Sequence, residues 1–156
     1  MKEIEHKFLV DHNKWELIEK STPQLIVQGY ISKSEEKTVR IRIKGDKGFL
    51  TIKGKTVGIS RNEYEYEIPV SDAEKMLTEL TDKRIRKLRY EIIFLGRTWE
   101  VDVFEGHLTG LILAELEVED EDERFDLPDW ITSNVSNDNR YYNALLIDAE
   151  NIPLIN

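Results

Sequence analysis

Apolar and polar residues alternate with period two along most of the chain. The alternating segments predict about eight strands, near residues 2–9, 25–32, 38–44, 48–54, 61–68, 86–95, 98–105 and 112–119. The polar faces of these strands are unusual because they are charged. In the first, Ile4, His6 and Phe8 share one face and Glu3, Glu5 and Lys7 the other, since residues two apart point the same way. The same alternation returns in Arg40-Ile41-Arg42-Ile43-Lys44, Arg61-Asn62-Glu63-Tyr64-Glu65-Tyr66-Glu67, Lys87-Leu88-Arg89, Glu100-Val101-Asp102 and Glu115-Leu116-Glu117-Val118-Glu119.

Gly45-Asp46-Lys47-Gly48 and Leu95-Gly96-Arg97 read as hairpin turns, so neighbouring strands connect as an antiparallel meander. Three stretches read as helix. One runs from Asp11 to Lys20 around Trp15, Leu17 and Ile18. A second is opened by Ser71-Asp72-Ala73-Glu74, with Ser71 and Glu74 as a capping box and Met76, Leu77 and Leu80 as its buried side. A third spans Asn139 to Asp148, where Tyr142, Leu145 and Leu146 recur at helical spacing. The acidic run Asp120 to Glu123 reads as a solvated loop, and no repeat or linker divides residues 1–156, so one domain is expected.

Composition narrows the function classes. A net charge of −9 argues against a general nucleic-acid binder, although a local cationic cleft is compatible with it. The chain has no cysteine, which removes disulfides, thiolate metal sites and a thiol nucleophile. No apolar run approaches the roughly 20 residues of a membrane-spanning helix, and charges stand where a signal peptide would be apolar. These features predict a cytoplasmic protein without a membrane partner.

Eight strands with one apolar and one charged face allow two architectures. An open sheet could turn its charges to water, or the sheet could close with the charges inside and helices outside. Like charges two residues apart, as in Glu3/Glu5, Arg40/Arg42, Glu63/Glu65 and Glu115/Glu117, repel more strongly as water is removed and need compensating ions. Acid pairs suit a divalent cation and basic pairs a polyanion. The pattern therefore favours an α+β fold, an eight-stranded antiparallel β-barrel enclosing a charged tunnel with helices packed outside.

The order Glu3-x-Glu5-x-Lys7, Val39-Arg40-Ile41-Arg42, Thr51-Ile52-Lys53, Arg61-x-Glu63-x-Glu65, Lys87-x-Arg89 and Ala114-Glu115-Leu116-Glu117 resembles the CYTH domain of the triphosphate tunnel metalloenzymes, over nearly the whole chain. A single Glu-x-Glu-x-Lys is weak, but six motifs in family order are specific. The compact size resembles short bacterial members, most of which look like inorganic tripolyphosphatases. The resemblance implies a divalent metal, Mg²⁺ or Mn²⁺, and hydrolysis of a small triphosphate that releases the terminal phosphate. It also implies residue roles. Glu3, Glu5, Glu115 and Glu117 would hold the metal, with Glu63 and Glu65 holding a second ion or placing water, and Asp102 as a further inward acid. Lys7, Arg40, Arg42, Lys53, Lys87 and Arg89 would clamp phosphate, and Lys87 or Lys53 would stabilise the leaving pyrophosphate. Many relatives are dimers, so a homodimer is compatible.

Other residues read more plainly. His6, Trp15 and Trp99 fall at apolar positions and are expected to pack, and His107 sits in a turn beside Gly106. Glu67 and Glu119 continue the charged parity but are left outside the site. Arg140 is the one basic residue after Arg124 that could reach the tunnel from the C-terminal helix. Within the same cradle the alternatives are adenylyl cyclase and thiamine or nucleoside triphosphatase. A polyphosphate-binding module is a different class, and it would have no use for the paired acids without a metal.

Overall fold

The computed structural model describes residues 1–155. Eight strands close into a barrel: β1 (Lys2–Val10), β2 (Gln24–Lys33), β3 (Lys37–Lys44), β4 (Lys47–Gly54), β5 (Ser60–Ile68), β6 (Ile85–Phe94), β7 (Arg97–Phe104) and β8 (Ile112–Glu117). They pair antiparallel in the order β5-β4-β3-β2-β6-β7-β8-β1, and the first residues of β1 return to β5 through Lys2–Asn62, Glu3–Arg61 and Ile4–Ser60. β1 thus closes the barrel by pairing β5 at its start and β8 from Glu5 to Leu9. A further strand, β9 (Ile131–Asn134), pairs outside the closed set with Phe8 and Val10 of β1. Its four residues are too few for a period-two signal, and the sequence reading does not contain it.

Both predicted hairpins form, each with two residues between its strands. Leu95 and Gly96 have φ of 49° and 79°, the positive pair that matches the right-handed twist of flanking strands.

The apolar face of the strands points outward and is covered there. Ile4, Phe8, Trp99, Val101, Ala114 and Leu116 form one core with Trp15 and Trp130, all buried. Trp15 comes from α1 (His12–Leu17), whose N-terminus is capped by Asp11 accepting from the Lys14 amide at 3.0 Å. His6 belongs to this packing, 5.0 Å from the Phe125 ring, and burial lowers its pKa, so it is a neutral packing residue as expected. The second outer core sets Ala73 and Leu77 of α2 (Val70–Leu80) on Ile41 and its neighbours. Gly48 permits that approach, because a Cβ there would lie 2.8 Å from the Ala73 Cβ.

Three helix details differ from expectation. α1 ends at Leu17 instead of Lys20, because Ile18 is extended and packs on the outer core while Leu17 is exposed. The cap of α2 falls two residues early, at Pro69, whose carbonyl accepts from the Asp72 and Ala73 amides. Ser71 therefore lies inside the first turn, and the capping box with Glu74 is not made among the described residues. Leu80 is exposed, so the buried side of α2 is Ala73, Leu77 and part of Met76.

The third predicted helix is two short pieces, a 3₁₀ turn Asn139–Tyr141 and α3 (Asn143–Leu146), because Tyr142 is extended between them. This segment does not lie on the outer wall. Leu9, Ile85, Phe104 and Leu113 share the inward parity of Lys7, Lys87, Asp102 and Glu115, and they form a third core with buried Tyr141, Leu146 and Ile147. The charged interior gives way to an apolar floor at this end of the barrel, and the C-terminal segment closes it. Leu145, expected on the buried side, is about half exposed.

Candidate active site

The inward charged residues line one cavity of about 1340 Å³. Glu3, Glu5, Lys7, Arg40, Arg42, Lys53, Glu63, Glu65, Lys87, Arg89, Glu115 and Glu117 all reach it. Asp102 does not line it. It lies behind the wall at 1% exposure, which decides its role below.

One wall is cationic. Strands β3 and β6 both pair with β2, which places Arg40 and Arg42 on one side of it and Lys87 and Arg89 on the other. Arg89 is directly opposite Asp102 in the β6–β7 register and is held by it bidentately, Nε to Oδ1 at 2.8 Å and Nη2 to Oδ2 at 2.9 Å. Lys87 Nζ lies 2.7 Å from the same Asp102 Oδ2, and Glu100 accepts from Arg89 Nη1 at 3.2 Å. On β5, Glu65 accepts from Thr51 Oγ1 at 2.7 Å and Arg42 Nη2 at 3.2 Å, and Arg40 Nη2 donates to Thr51 Oγ1 at 3.3 Å. Thr51 is fully buried and ties the two guanidinium groups together.

Protonation follows this layout. Burial resists ionisation of Asp102, but Arg89 and Lys87 outweigh it and hold the carboxyl far below its usual range. Burial lowers Lys87 to about 8, with Asp102 opposing and Arg89 adding to the fall. Burial, then Arg40 and Arg89, lower Arg42 to about 10. Although burial opposes it, Asp102 and then Glu100 raise the pKa of Arg89, so Lys87 is the cation more disposed to lose its charge.

The opposite wall is acidic. The β1–β8 register sets Glu5 against Glu117 and Lys7 against Glu115. Lys53 lies between Glu3 at 2.9 Å and Glu63 at 3.2 Å, and Lys7 is 3.8 Å from Glu115. Although burial opposes it, Lys53 leads the groups that hold Glu3 at about 2, and burial together with the hydrogen bond to Glu3 raises Glu63. Burial of Glu115 is outweighed by Lys7 and Arg89, and its pKa falls. Glu5 behaves otherwise. Burial, then Glu115 and Glu3, push it well above the usual carboxylate range, and burial followed by Glu3 and Glu100 raises Glu117.

Among the described residues neither the Glu5 nor the Glu117 carboxylate has a hydrogen-bond or ion-pair partner, and no three acids are already drawn into one coordination sphere. Carboxylate oxygens that repel each other beside a cationic wall fit a hard divalent cation, and Mg²⁺ needs only one or two carboxylates when phosphate and water complete its shell. The donor set therefore fits the metal that the resemblance implies.

Four residues that the sequence reading left out belong to this site. Thr51 and Arg61 share inward parity with Lys53 and Glu63, so alternation alone could have found them. Gln28 shares this parity too, opposite Arg42 in the β2–β3 register, and Asn143 alone carries no such signal. Asn143 lies on the C-terminal segment and accepts from Lys87 Nζ at 2.9 Å and from Gln28 Nε2 at 3.2 Å. Arg140 turns to Asp138 at 2.6 Å by the cavity mouth, half exposed.

The CYTH domain model matches residues 1–145. An inorganic triphosphatase from Acetivibrio thermocellus is 49% identical over 147 residues, 94% of this chain and 93% of the relative. One from Nitrosomonas europaea is 37% identical over 151 residues, 94% of this chain and 97% of that protein. A crystal structure of an inorganic triphosphatase, 33% identical, superposes with a TM-score of 0.67 over 97% of this chain and 96% of the other. With barrel, charged interior and sequence in agreement over nearly its full length, the chain belongs to the CYTH domain family.

Proposed function

We propose that this chain is a divalent-metal-dependent triphosphatase that cleaves inorganic tripolyphosphate to pyrophosphate and phosphate, with Mg²⁺ or Mn²⁺. The observation that carries the reading is the division of one cavity into a cationic wall and a wall with unpaired carboxylates. A polyanion alone would have no use for the second wall. Glu5 and Glu117, with Glu3 and Glu115, would hold the metal, which neutralises phosphate charge when bound.

The chain's own groups supply positioning and charge, the main requirements of phosphoryl transfer. Arg40, Arg42 and Arg89 present guanidinium forks to phosphate oxygens, with Glu65 and Asp102 fixing their planes. Lys87 has one carboxylate partner, Asp102, which it shares with Arg89, whereas Lys53 is flanked by two carboxylates of its own. That difference favours Lys87 over Lys53 as the group at the bridging oxygen of the departing pyrophosphate. Lys53 instead links Glu3 and Glu63 and keeps the metal side from repelling substrate. Water attacks the terminal phosphorus, the phosphoanhydride P–O bond breaks and the electron pair leaves on pyrophosphate, while one proton of the water stays on the released phosphate and the other passes to pyrophosphate or solvent. Asp102, enclosed by Arg89 and Lys87, belongs in this reading to the phosphate clamp and not to the metal.

The test is phosphate release from tripolyphosphate with Mg²⁺, Mn²⁺ or EDTA, run beside ATP and thiamine triphosphate, with Glu5→Gln as control. Metal-dependent release from tripolyphosphate that the control loses is the expected result. Cyclic AMP from ATP would overturn it in favour of a cyclase, and metal-free polyphosphate binding without turnover would favour a binding module.

A further inference from the structure

Lys87 has three N–H donors, and two are already committed. One points to Asp102 Oδ2 at 2.7 Å and one to Asn143 Oδ1 at 2.9 Å. The same Asn143 oxygen accepts from Gln28 Nε2 at 3.2 Å, and Gln28 is fully buried. Both neighbours of that oxygen are donors, so the amide has one favourable orientation, carbonyl toward Lys87. With two donors fixed, the third N–H of Lys87 has a single direction left.

The segment carrying Asn143 is held without help from Lys87. Tyr141 and Leu146 are fully buried in the apolar floor, and the Tyr141 hydroxyl donates to the Pro153 carbonyl at 2.7 Å. The Tyr141 carbonyl accepts from Lys7 Nζ at 3.1 Å, and the Tyr142 ring lies 5.6 Å from Lys7 Nζ. The anchor on Lys87 is therefore rigid, and it is a neutral amide. A second carboxylate at this place would cancel the positive charge that faces substrate, whereas an amide aims the ammonium and leaves its charge intact.

We propose that Asn143 is a positioning residue that acts through Lys87, so that the closed end of the barrel aims this ammonium at the phosphate chain. The inference rests on the triphosphatase reading of the same cavity. It assigns the C-terminal segment a part in turnover besides covering the apolar floor.

The experiment places Asn143→Ala and Asn143→Asp in the wild-type and Lys87→Met backgrounds. It reads kcat and KM for tripolyphosphate, with tripolyphosphate affinity by calorimetry where turnover is too slow. Loss of one hydrogen bond to a charged group should lower kcat about 10-fold in Asn143→Ala with a much smaller change in KM. Asn143→Asp, nearly isosteric, should raise KM by placing an anion beside the clamp. In the Lys87→Met background Asn143→Ala should have no further effect, since a residue acting through another adds nothing once that partner is gone. Equal factors in both backgrounds, or an unchanged kcat, would overturn the proposal. If Asn143→Ala fails to fold, Asn143→Asp decides, and an unchanged KM there counts against it. The ammonium resonance of Lys87 in the ¹H–¹⁵N spectrum of substrate-free protein gives a separate reading. It should shift in Asn143→Ala, and an unmoved resonance counts against the contact whether or not the wild type releases phosphate.

Discussion

Glu5 and Glu117 are direct cross-strand partners on β1 and β8, and among the described residues neither carboxylate has a cation of the chain within ion-pair distance. Like charges directly opposite in an antiparallel pair destabilise it, by about 0.2–1 kcal/mol. Because the folded pKa of Glu5 is raised above its unfolded value, the folded state binds the extra proton. Stability from that group is complete below the unfolded value of about 4.3 and is lost as pH rises through the folded pKa. Glu5→Gln removes the loss. In metal-free protein at pH 7 to 8 the variant should melt a few degrees higher than wild type, and near pH 4 the difference should vanish. Its metal-dependent turnover should be abolished. Equal melting curves at pH 8, or full turnover, would count against the ligand assignment.

Leu95 occupies the turn between β6 and β7 at φ 49°, a conformation that costs an L-residue with a bulky side chain about 1 kcal/mol, and its side chain is 70% exposed. Nothing about the cavity depends on it. Leu95→Asn should raise stability by about 0.5–1 kcal/mol in urea titration with kcat and KM unchanged. A loss of stability would mean that the exposed leucine packs in a way the fold does not show.

The strands and the inward charges were legible because alternation is a local property and closure converts it directly into a lining. Lys7, Glu115, Glu5 and Glu117 could be placed together once β1 and β8 were neighbours. What alternation could not supply is where the charge stops. Leu9, Ile85, Phe104 and Leu113 keep the inward parity, and only the C-terminal segment packed on them reveals a floor. Asn143 was hidden for the same reason, since its partner Lys87 is 56 residues away in sequence. Parity also gave Asp102 its inward face but not its company. A residue's face does not say whether a neighbour covers it, and Arg89 and Lys87 enclose this one.

The depressed pKa of Lys87 has a kinetic signature. With its ammonium lost at about pH 8 in the free protein, kcat/KM for tripolyphosphate at saturating Mg²⁺ should fall as pH rises through that value. The fold does not share this loss. The unfolded chain keeps the proton to about 10.4, so between the two values Lys87 binds fewer protons when folded and its contribution to stability rises with pH. Bound substrate restores the charge, so the alkaline limb of kcat should lie higher than that of kcat/KM. Lys87→Arg should move the kcat/KM limb upward, and a limb that stays in place would assign it to another group.

Asp102 separates the two roles a buried acid can have here. As the anchor of the clamp, its replacement by alanine leaves buried Lys87 without an anionic partner and Arg89 with Glu100 alone, and breaking a buried pair in this way costs about 3–5 kcal/mol. Asp102→Ala should therefore shift the urea midpoint strongly and raise KM for tripolyphosphate, while the Mg²⁺ concentration for half-maximal rate stays the same. Asp102→Asn keeps an acceptor and should fall between alanine and wild type in stability. A metal ligand would give the opposite pattern, with a raised Mg²⁺ requirement and little loss of fold, because removing one of several repelling acids relieves the lining. The two variants, read for urea midpoint and Mg²⁺ dependence together, decide whether this carboxylate serves the cationic wall or the metal.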